Sequence, residues 1–178
     1  MKKVWMMFLV LSSIGSTVQA QNDGDTKLNV GAELMFPTGG LSTTHSMGIG
    51  GSLQLEHFFQ NKLSGLAYFG YQNYFGKSVG NGTNLKFSNY NVIPVRLGAR
   101  YYLGEAFHLG GQLGIGFVGA SGSSNMALAY SLQVGYNFNT KKGRAVDMAI
   151  KYDGFARSGG SINSFGIRIG YNLLDLKF

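Results

Sequence analysis

From position 28 onward, apolar side chains alternate with small or polar ones in segments of about ten residues, each followed by a turn. The segment 107–117 shows this most clearly, because one face reads Phe, Leu, Gly, Leu, Ile, Phe and the other His, Gly, Gln, Gly, Gly. Alternation with period two is typical of a strand whose two faces have different surroundings. The pattern predicts eight strands and no helix, with the strands at 28–36, 46–59, 63–75, 90–103, 107–118, 126–138, 145–155 and 162–173.

The small and polar face of these strands distinguishes a membrane barrel from a soluble sandwich or lipocalin. Water-facing positions of soluble strands normally carry Lys, Glu and Thr, whereas this face of 126–138 carries Ala, Ala, Ser, Gln, Gly and Asn. Membrane barrels place apolar residues outside and polar ones within, and about nine to eleven tilted residues cross the bilayer. We therefore expect an all-β, eight-stranded antiparallel up-and-down transmembrane β-barrel.

Aromatic residues and connection lengths predict how such a barrel is oriented. Aromatic residues gather near both strand ends, as in an interfacial girdle. The predicted girdles comprise Phe36, Phe75, Tyr90, Phe117 and Phe165 at one end, and Phe59, Tyr101, Phe107, Phe138 and Tyr171 at the other. Connections after odd-numbered strands tend to be longer, most clearly 76–89. Because periplasmic turns are short and extracellular loops are long in outer-membrane barrels, we expect both termini to be periplasmic.

The first twenty residues have the features of a secretory signal. Lys2 and Lys3 form a basic start, an apolar run follows at 4–11, and small residues precede a cleavage site between Ala20 and Gln21. The apolar run is too short for a membrane-spanning helix, which needs about twenty residues. We therefore predict a cleaved signal peptide at 1–20, export to the bacterial outer membrane, and one barrel domain at 21–178.

Composition removes several classes of function. The chain has no cysteine, which excludes disulfides, thiolate metal sites and a lipid-bearing cysteine. Its formal net charge is +7, but the basic residues are scattered along the chain. Because a nucleic-acid-binding protein clusters its basic residues, we expect no nucleic-acid partner.

Charged residues on the inner face of the strands are the most informative polar positions. An eight-stranded barrel has an interior only wide enough for side chains to fill, and breaking a buried ion pair costs several kcal/mol. We therefore predict a salt-bridged plug, with inward glycines at 31, 98, 114 and 170 making room for long arginines; a gated pathway for small ions is the alternative. The predicted network comprises Glu33, Glu56, Arg96, Arg100, Asp147, Lys151, Asp153 and Arg168.

Catalytic and metal-binding constellations are not predicted. His45, His57 and His108 fall at different heights and faces, so no shared metal site is expected, and nothing calls for a cofactor. A lipid A hydrolase would need a Ser, a His and an acid within hydrogen-bond reach. The pair His45 and Ser46 lies near the outer rim, but no acid accompanies it.

Four segments carry a resemblance to a known family, namely 30–34, 93–102, 110–116 and 166–171. With them the chain resembles the small outer-membrane barrels of the OmpA/OmpX type, and it is similar to the short outer membrane protein beta-barrel sequences of Bacteroidetes-like bacteria. The resemblance implies contact with outer-membrane lipid and lipopolysaccharide, and insertion by the outer-membrane assembly machinery. That machinery would read a signal in the last strand. However, Leu174, Leu176 and Phe178 leave the phase kept by 165–173, which indicates either a bulge or a tail.

The leading hypothesis is a non-enzymatic structural or surface-interaction protein that acts through its extracellular loops. The loop 76–89 is the expected contact surface, with Lys77, Lys86 and Phe87, and its ligand is undefined by the sequence. The alternatives are a low-conductance pore for small solutes or ions and, less favoured, a lipid A-modifying enzyme.

Overall fold

A sheet has no unpaired edge strand only when it closes on itself. The computed structural model shows this closure. It describes residues 24–78, 86–120, 123–139 and 145–176. Eight strands form one closed barrel in chain order, each antiparallel to its neighbours, and β1 pairs with β8. The predicted fold class is confirmed. The strands are β1 Thr26–Thr38, β2 His45–Gln60, β3 Leu63–Gly76, β4 Tyr90–Tyr102, β5 Phe107–Ala120, β6 Ser123–Asn139, β7 Ala145–Arg157 and β8 Gly160–Leu176.

The two faces of the barrel differ as the alternation predicts. Apolar side chains project from the outer wall, where Leu97, Leu113 and Leu132 are 69%, 63% and 64% exposed. Charged and polar side chains fill the interior, where Arg96 and Arg168 are each 1% exposed. This arrangement reverses that of a soluble barrel and suits an outer wall surrounded by lipid.

A short helix between the first two strands corrects the prediction that no helix exists. Helix α1 spans Gly40–Thr44. The hydroxyls of Ser42 and Thr43 each donate a 2.7 Å hydrogen bond to the carbonyl three residues earlier. One turn is too short to produce a helical hydrophobic period, so the order of apolar and polar residues does not reveal it. Among the described residues, no helix is long and apolar enough to cross a membrane.

The connections define two ends of the barrel. The loop end carries the connections 39–44, 77–89, 121–122 and 158–159, and the turn end carries 61–62, 103–106 and 140–144. The predicted length difference holds only for the first two loop-end connections, since the later strands extend further than expected. At 158–159 the chain reverses in two residues, which Gly159 permits with a φ of 91°.

The last strand contains a bulge. Asn172 pairs with Asn29 and Leu174 pairs with Leu28, so Leu173 is the extra residue. Leu173 and Leu174 are consequently both exposed on the outer wall. Of the two alternatives left by the sequence, the structure therefore shows the bulge. The predicted signal peptide, its cleavage site at Ala20 and Gln21, and the terminal Phe178 lie outside the described residues.

Candidate functional site

All eight predicted inward charges are buried in the lumen, each at most 5% exposed. Seven ion pairs with N to O distances between 2.6 and 3.7 Å join them into one chain of alternating sign. In order, the chain runs Arg96, Asp153, Lys151, Glu33, Arg168, Asp147, Arg100 and Glu56. We call this set the lumen network. Its four acids and four bases balance, so the interior holds no net charge from these groups.

The first half of the lumen network centres on Lys151. Its ammonium lies 2.6 Å from Glu33 and 2.8 Å from Asp153. Asp153 also pairs with Arg96 at 2.9 Å, and the guanidinium of Arg96 lies 4.1 Å from the ring centroid of Tyr68. The Tyr68 hydroxyl donates a 2.7 Å hydrogen bond to Glu33. These extra bonds compensate for the removal of the charges from water.

The second half centres on Arg100. Its guanidinium pairs with Glu56 at 2.9 Å and with Asp147 at 3.1 Å. Glu56 also accepts hydrogen bonds from the hydroxyls of Tyr102, at 2.8 Å, and Ser64, at 2.6 Å. Arg168 joins the two halves, since it lies 3.4 Å from Asp147 and 3.7 Å from Glu33.

Inward glycines make room for one arginine of the network, but not for all of them. A methyl group added at Gly31 would lie 2.8 Å from the guanidinium carbon of Arg168, and one at Gly170 would lie 2.5 Å from Nη1 of Arg168. An added methyl at Gly98 or Gly114 would instead collide with the backbone of a neighbouring strand. The prediction that all four glycines accommodate arginines is therefore wrong for these two, which permit close strand approach.

Apolar side chains close the lumen at the loop end. Leu41 of α1 and Tyr90 pack against this layer from the mouth of the barrel. Tyr90 was expected in the outer girdle, but its ring faces the mouth, 6.0 Å from that of His45. The buried layer comprises Met35, Tyr74, Val92, Val118, Ala127, Ala129, Phe155 and Ile162.

Aromatic rings close the lumen at the turn end. The ring of Tyr102 lies 5.6 Å from that of Phe58 and 5.5 Å from that of His108, measured between centroids. Phe58 and His108 are fully buried, and His108 Nε2 lies 2.8 Å from Asp147. The charged network therefore lies between an apolar layer and an aromatic layer.

The three histidines have separate surroundings. His45 is the buried first residue of β2, with ring nitrogens 2.8 Å from Thr44 Oγ1 and 3.1 Å from the Ser88 carbonyl. The Ser46 side chain is exposed, so it does not share a face with His45. His57 lies 2.8 Å from Thr26 Oγ1. No group of three or more His, Asp or Glu residues in the described part of the chain could hold a metal ion.

The loop end carries cations without anions. None of the eight Asp and Glu residues of the sequence falls in its four connections or at the strand ends that flank them. Lys77, Lys86 and Arg157 are exposed there, and we call these three residues the cationic rim. Phe87, predicted with the lysines as a contact residue, is 42% exposed beside Lys86. Sequence reasoning missed Arg157, although its place at the end of β7 could have revealed it.

Hydrogen bonds join the first two loop-end connections. The Lys77 ammonium donates to the Ser42 carbonyl at 2.6 Å, and its backbone N–H donates to the Thr44 carbonyl at 2.8 Å. His45 reaches Ser88, as described above. Helix α1 is thereby held against the base of the loop 77–89, which gives the cationic rim a defined support.

A closed eight-stranded barrel with an apolar outer wall and a filled polar lumen has the fold of the small outer-membrane β-barrels. No family model matches the chain, and no curated protein matches it. Solved structures do. Neisserial surface protein A matches with a TM-score of 0.60 at 14% identity, over 88% of this chain and 100% of its own. OprG of Pseudomonas aeruginosa matches with a TM-score of 0.59 at 13% identity, over 90% and 100%.

Ail of Yersinia pestis, solved in a phospholipid bilayer nanodisc, matches with a TM-score of 0.58 at 19% identity, over 85% of this chain and 100% of its own. Ail has also been crystallised in complex with the heparin analogue sucrose octasulfate; that structure matches with a TM-score of 0.55 at 14% identity, over 85% and 98%. Because the identities are this low, the structural matches show a shared fold and nothing more.

Proposed function

We propose that the protein is a non-enzymatic barrel of the bacterial outer membrane that binds anionic surface ligands through its loop end. In this proposal residues 1–20 are a cleaved signal peptide, the outer-membrane assembly machinery inserts the chain, and both termini are periplasmic. Lipid and lipopolysaccharide then surround the apolar wall.

The distribution of charge carries the proposal. The cationic rim has three exposed bases, and the loop end has no Asp or Glu. Acids and bases are balanced in the lumen network, and both signs occur at the turn end, where Asp25, Glu105 and Asp175 accompany Lys27 and Lys62. A surface of one sign attracts ligands of the opposite sign and accelerates their encounter. The Ail complex provides a precedent for a sulfated ligand on a barrel of this fold.

The structure supports a role at the loop end over one in the lumen. A solute crossing the barrel would have to displace the apolar layer that includes Phe155, the lumen network, and the aromatic layer around Tyr102. A hydrolase would need a nucleophile, a base and an acid within reach, and His45 and Ser46 do not provide this arrangement. Neither alternative therefore has a specific structural feature in its favour.

Binding to immobilised heparin tests the proposal. The variant with Lys77, Lys86 and Arg157 all changed to Gln should bind about three- to a hundredfold more weakly, because each exposed ion pair contributes about 0.2–1 kcal/mol. The matched control changes Lys62 and two lysines of the segment that joins β6 to β7, Lys141 and Lys142, to Gln. Equal weakening in both variants, or in neither, would overturn the proposal.

A further inference from the structure

A groove in the outer wall crosses β4, β5 and β6. Its volume is about 460 Å³, and its lining includes Leu97, Gly111, Leu113, Tyr130 and Leu132. This volume falls in the range of small-molecule sites, which is about 300–1,000 Å³. The lumen network plays no part in it, because the groove opens to the surface that faces lipid.

The groove exists because Gly111 has no side chain, whereas the neighbouring leucines project from the wall. Ala99, Gly111 and Leu132 lie side by side on β4, β5 and β6. A methyl group added at Gly111 would meet only Leu132 Cδ2, at 3.8 Å. The flanking residues Leu97 and Leu113 are among the most exposed apolar side chains of the barrel. They form walls around a floor of small residues.

The height of the groove places it in the apolar band, close to the turn-end girdle. Tyr101, Phe107 and Tyr136 are 48%, 39% and 42% exposed and lie on the same three strands toward the turn end. Gly111 is four residues from Phe107, which corresponds to about 13 Å along the strand. An acyl chain whose headgroup lies at the turn end would therefore pass through the groove.

Among the described residues, the two turns beside β3 and β4 at this end, 61–62 and 103–106, offer one exposed cation and one exposed anion. Lys62 is exposed in the turn before β3, and its carbonyl accepts a 2.8 Å hydrogen bond from the Tyr102 N–H. Glu105 is exposed in the turn between β4 and β5, which a 2.8 Å bond from Leu103 to Phe107 closes. Neither side chain belongs to an ion pair among the described residues. A zwitterionic headgroup complements such a pair.

We propose that the groove binds one acyl chain of a diacyl phospholipid with an ammonium–phosphate headgroup, as in phosphatidylethanolamine. The phosphate lies toward Lys62 and the ammonium toward Glu105. In a membrane the affinity comes from dispersion contacts with the groove and from the two headgroup charges, since lipid tails are as apolar as the leucines. This inference goes beyond ligand binding at the loop end and does not depend on it.

Native mass spectrometry tests the groove. The protein is released from vesicles with equal amounts of phosphatidylethanolamine and phosphatidylglycerol, and bound lipid is counted for wild type, Gly111→Leu and Gly51→Leu. Gly51 also faces outward with free space, since an added methyl would have its nearest contact at 3.8 Å. We expect Gly111→Leu to reduce retained phosphatidylethanolamine about tenfold and Gly51→Leu to leave it unchanged. Ala99 pairs with Gly111 across β4 and β5, so Ala99→Leu places an apolar side chain beside the groove and replaces Gly111→Leu should that variant not fold.

A second comparison, between wild type and a variant without the two turn-end charges, tests which headgroup is bound. The double variant Lys62→Gln, Glu105→Gln should lose the preference for phosphatidylethanolamine over phosphatidylglycerol while it still retains lipid. Equal lipid retention in all groove variants would mean unspecific boundary lipid and would overturn the proposal. A wild-type preference for phosphatidylglycerol would also overturn it, as would a dimer peak that Gly111→Leu abolishes, since a second copy would then occupy the groove.

Discussion

The ammonium of Lys151 on β7 lies 2.6 Å from a carboxylate oxygen of Glu33 on β1, although β8 runs between the two strands. Gly166 of β8 pairs with Lys151 and leaves the space through which that side chain reaches Glu33. The ion pair therefore spans the seam where the barrel closes. We expect it to contribute to closure as well as to fill the lumen.

Removing the cation should destabilise the barrel strongly. Lys151→Met leaves Glu33 and Asp153 without their shared cation, and breaking a buried pair costs about 3–5 kcal/mol. The measurement is urea unfolding in lipid vesicles. The fraction of folded protein is read from the heat-dependent shift of its band on gels. Lys86→Met, at an exposed lysine outside the ion pairs of the described residues, should stay within about 0.5 kcal/mol of wild type. Equal effects of the two variants would mean that the network contributes nothing to stability.

A second substitution should recover part of this loss. Glu33→Gln in the Lys151→Met background removes one of the two buried carboxylate charges that have lost Lys151, so the double variant should be more stable than Lys151→Met alone. The coupling between the two sites in a double-mutant cycle should be about 0.5–3 kcal/mol, the range for residues in contact. Strictly additive effects would show that Lys151 and Glu33 do not interact in the folded barrel.

A larger side chain at Gly166, in the space that Lys151 occupies, should also destabilise the barrel. An added methyl at Gly166 would lie 3.2 Å from Cγ and Cε of Lys151 and 3.4 Å from the Leu34 carbonyl. We expect Gly166→Val to cost about 1–3 kcal/mol through overpacking in the same unfolding assay. Gly51→Val on the outer wall is the control, and a cost as large as that of Gly166→Val would contradict the role of the seam.

The bulge at Leu173 predicts a break in lipid accessibility along β8. Spin labels on single cysteines at 171–175 should report lipid contact at 171, 173 and 174, but not at 172. Asn172 points into the lumen and accepts a 2.8 Å hydrogen bond from Asn29. Contact that alternates at every second position through 175 would show that the strand continues without a bulge.

The sequence predicted the parts of this fold that depend on which face a residue occupies. Each strand alternates with period two, so the inward position of Arg96 or Asp153 could be derived from its neighbours alone. The partners could not, because Arg96 and Asp153 are 57 positions apart and meet across the lumen. Such distances depend on the shear of the closed barrel, which alternation does not encode.

Local irregularities of the fold could not be predicted from the sequence either. Helix α1 is a single turn, too short to show a helical hydrophobic period. The sequence could show that Leu174 left the phase of Leu173 but not whether the strand continued, because that depends on hydrogen bonds to β1. Tyr90 was misassigned since an aromatic residue at a strand end can equally face the membrane interface or the mouth.

Three sets of side chains close the interior of the barrel: the apolar layer that includes Phe155, the lumen network, and the aromatic rings around Tyr102. Recording current across planar bilayers after insertion of the purified, folded protein shows whether any ion passes them. We expect no discrete conductance steps. Reproducible steps whose size rises with salt concentration would contradict this expectation and would identify the protein as a pore.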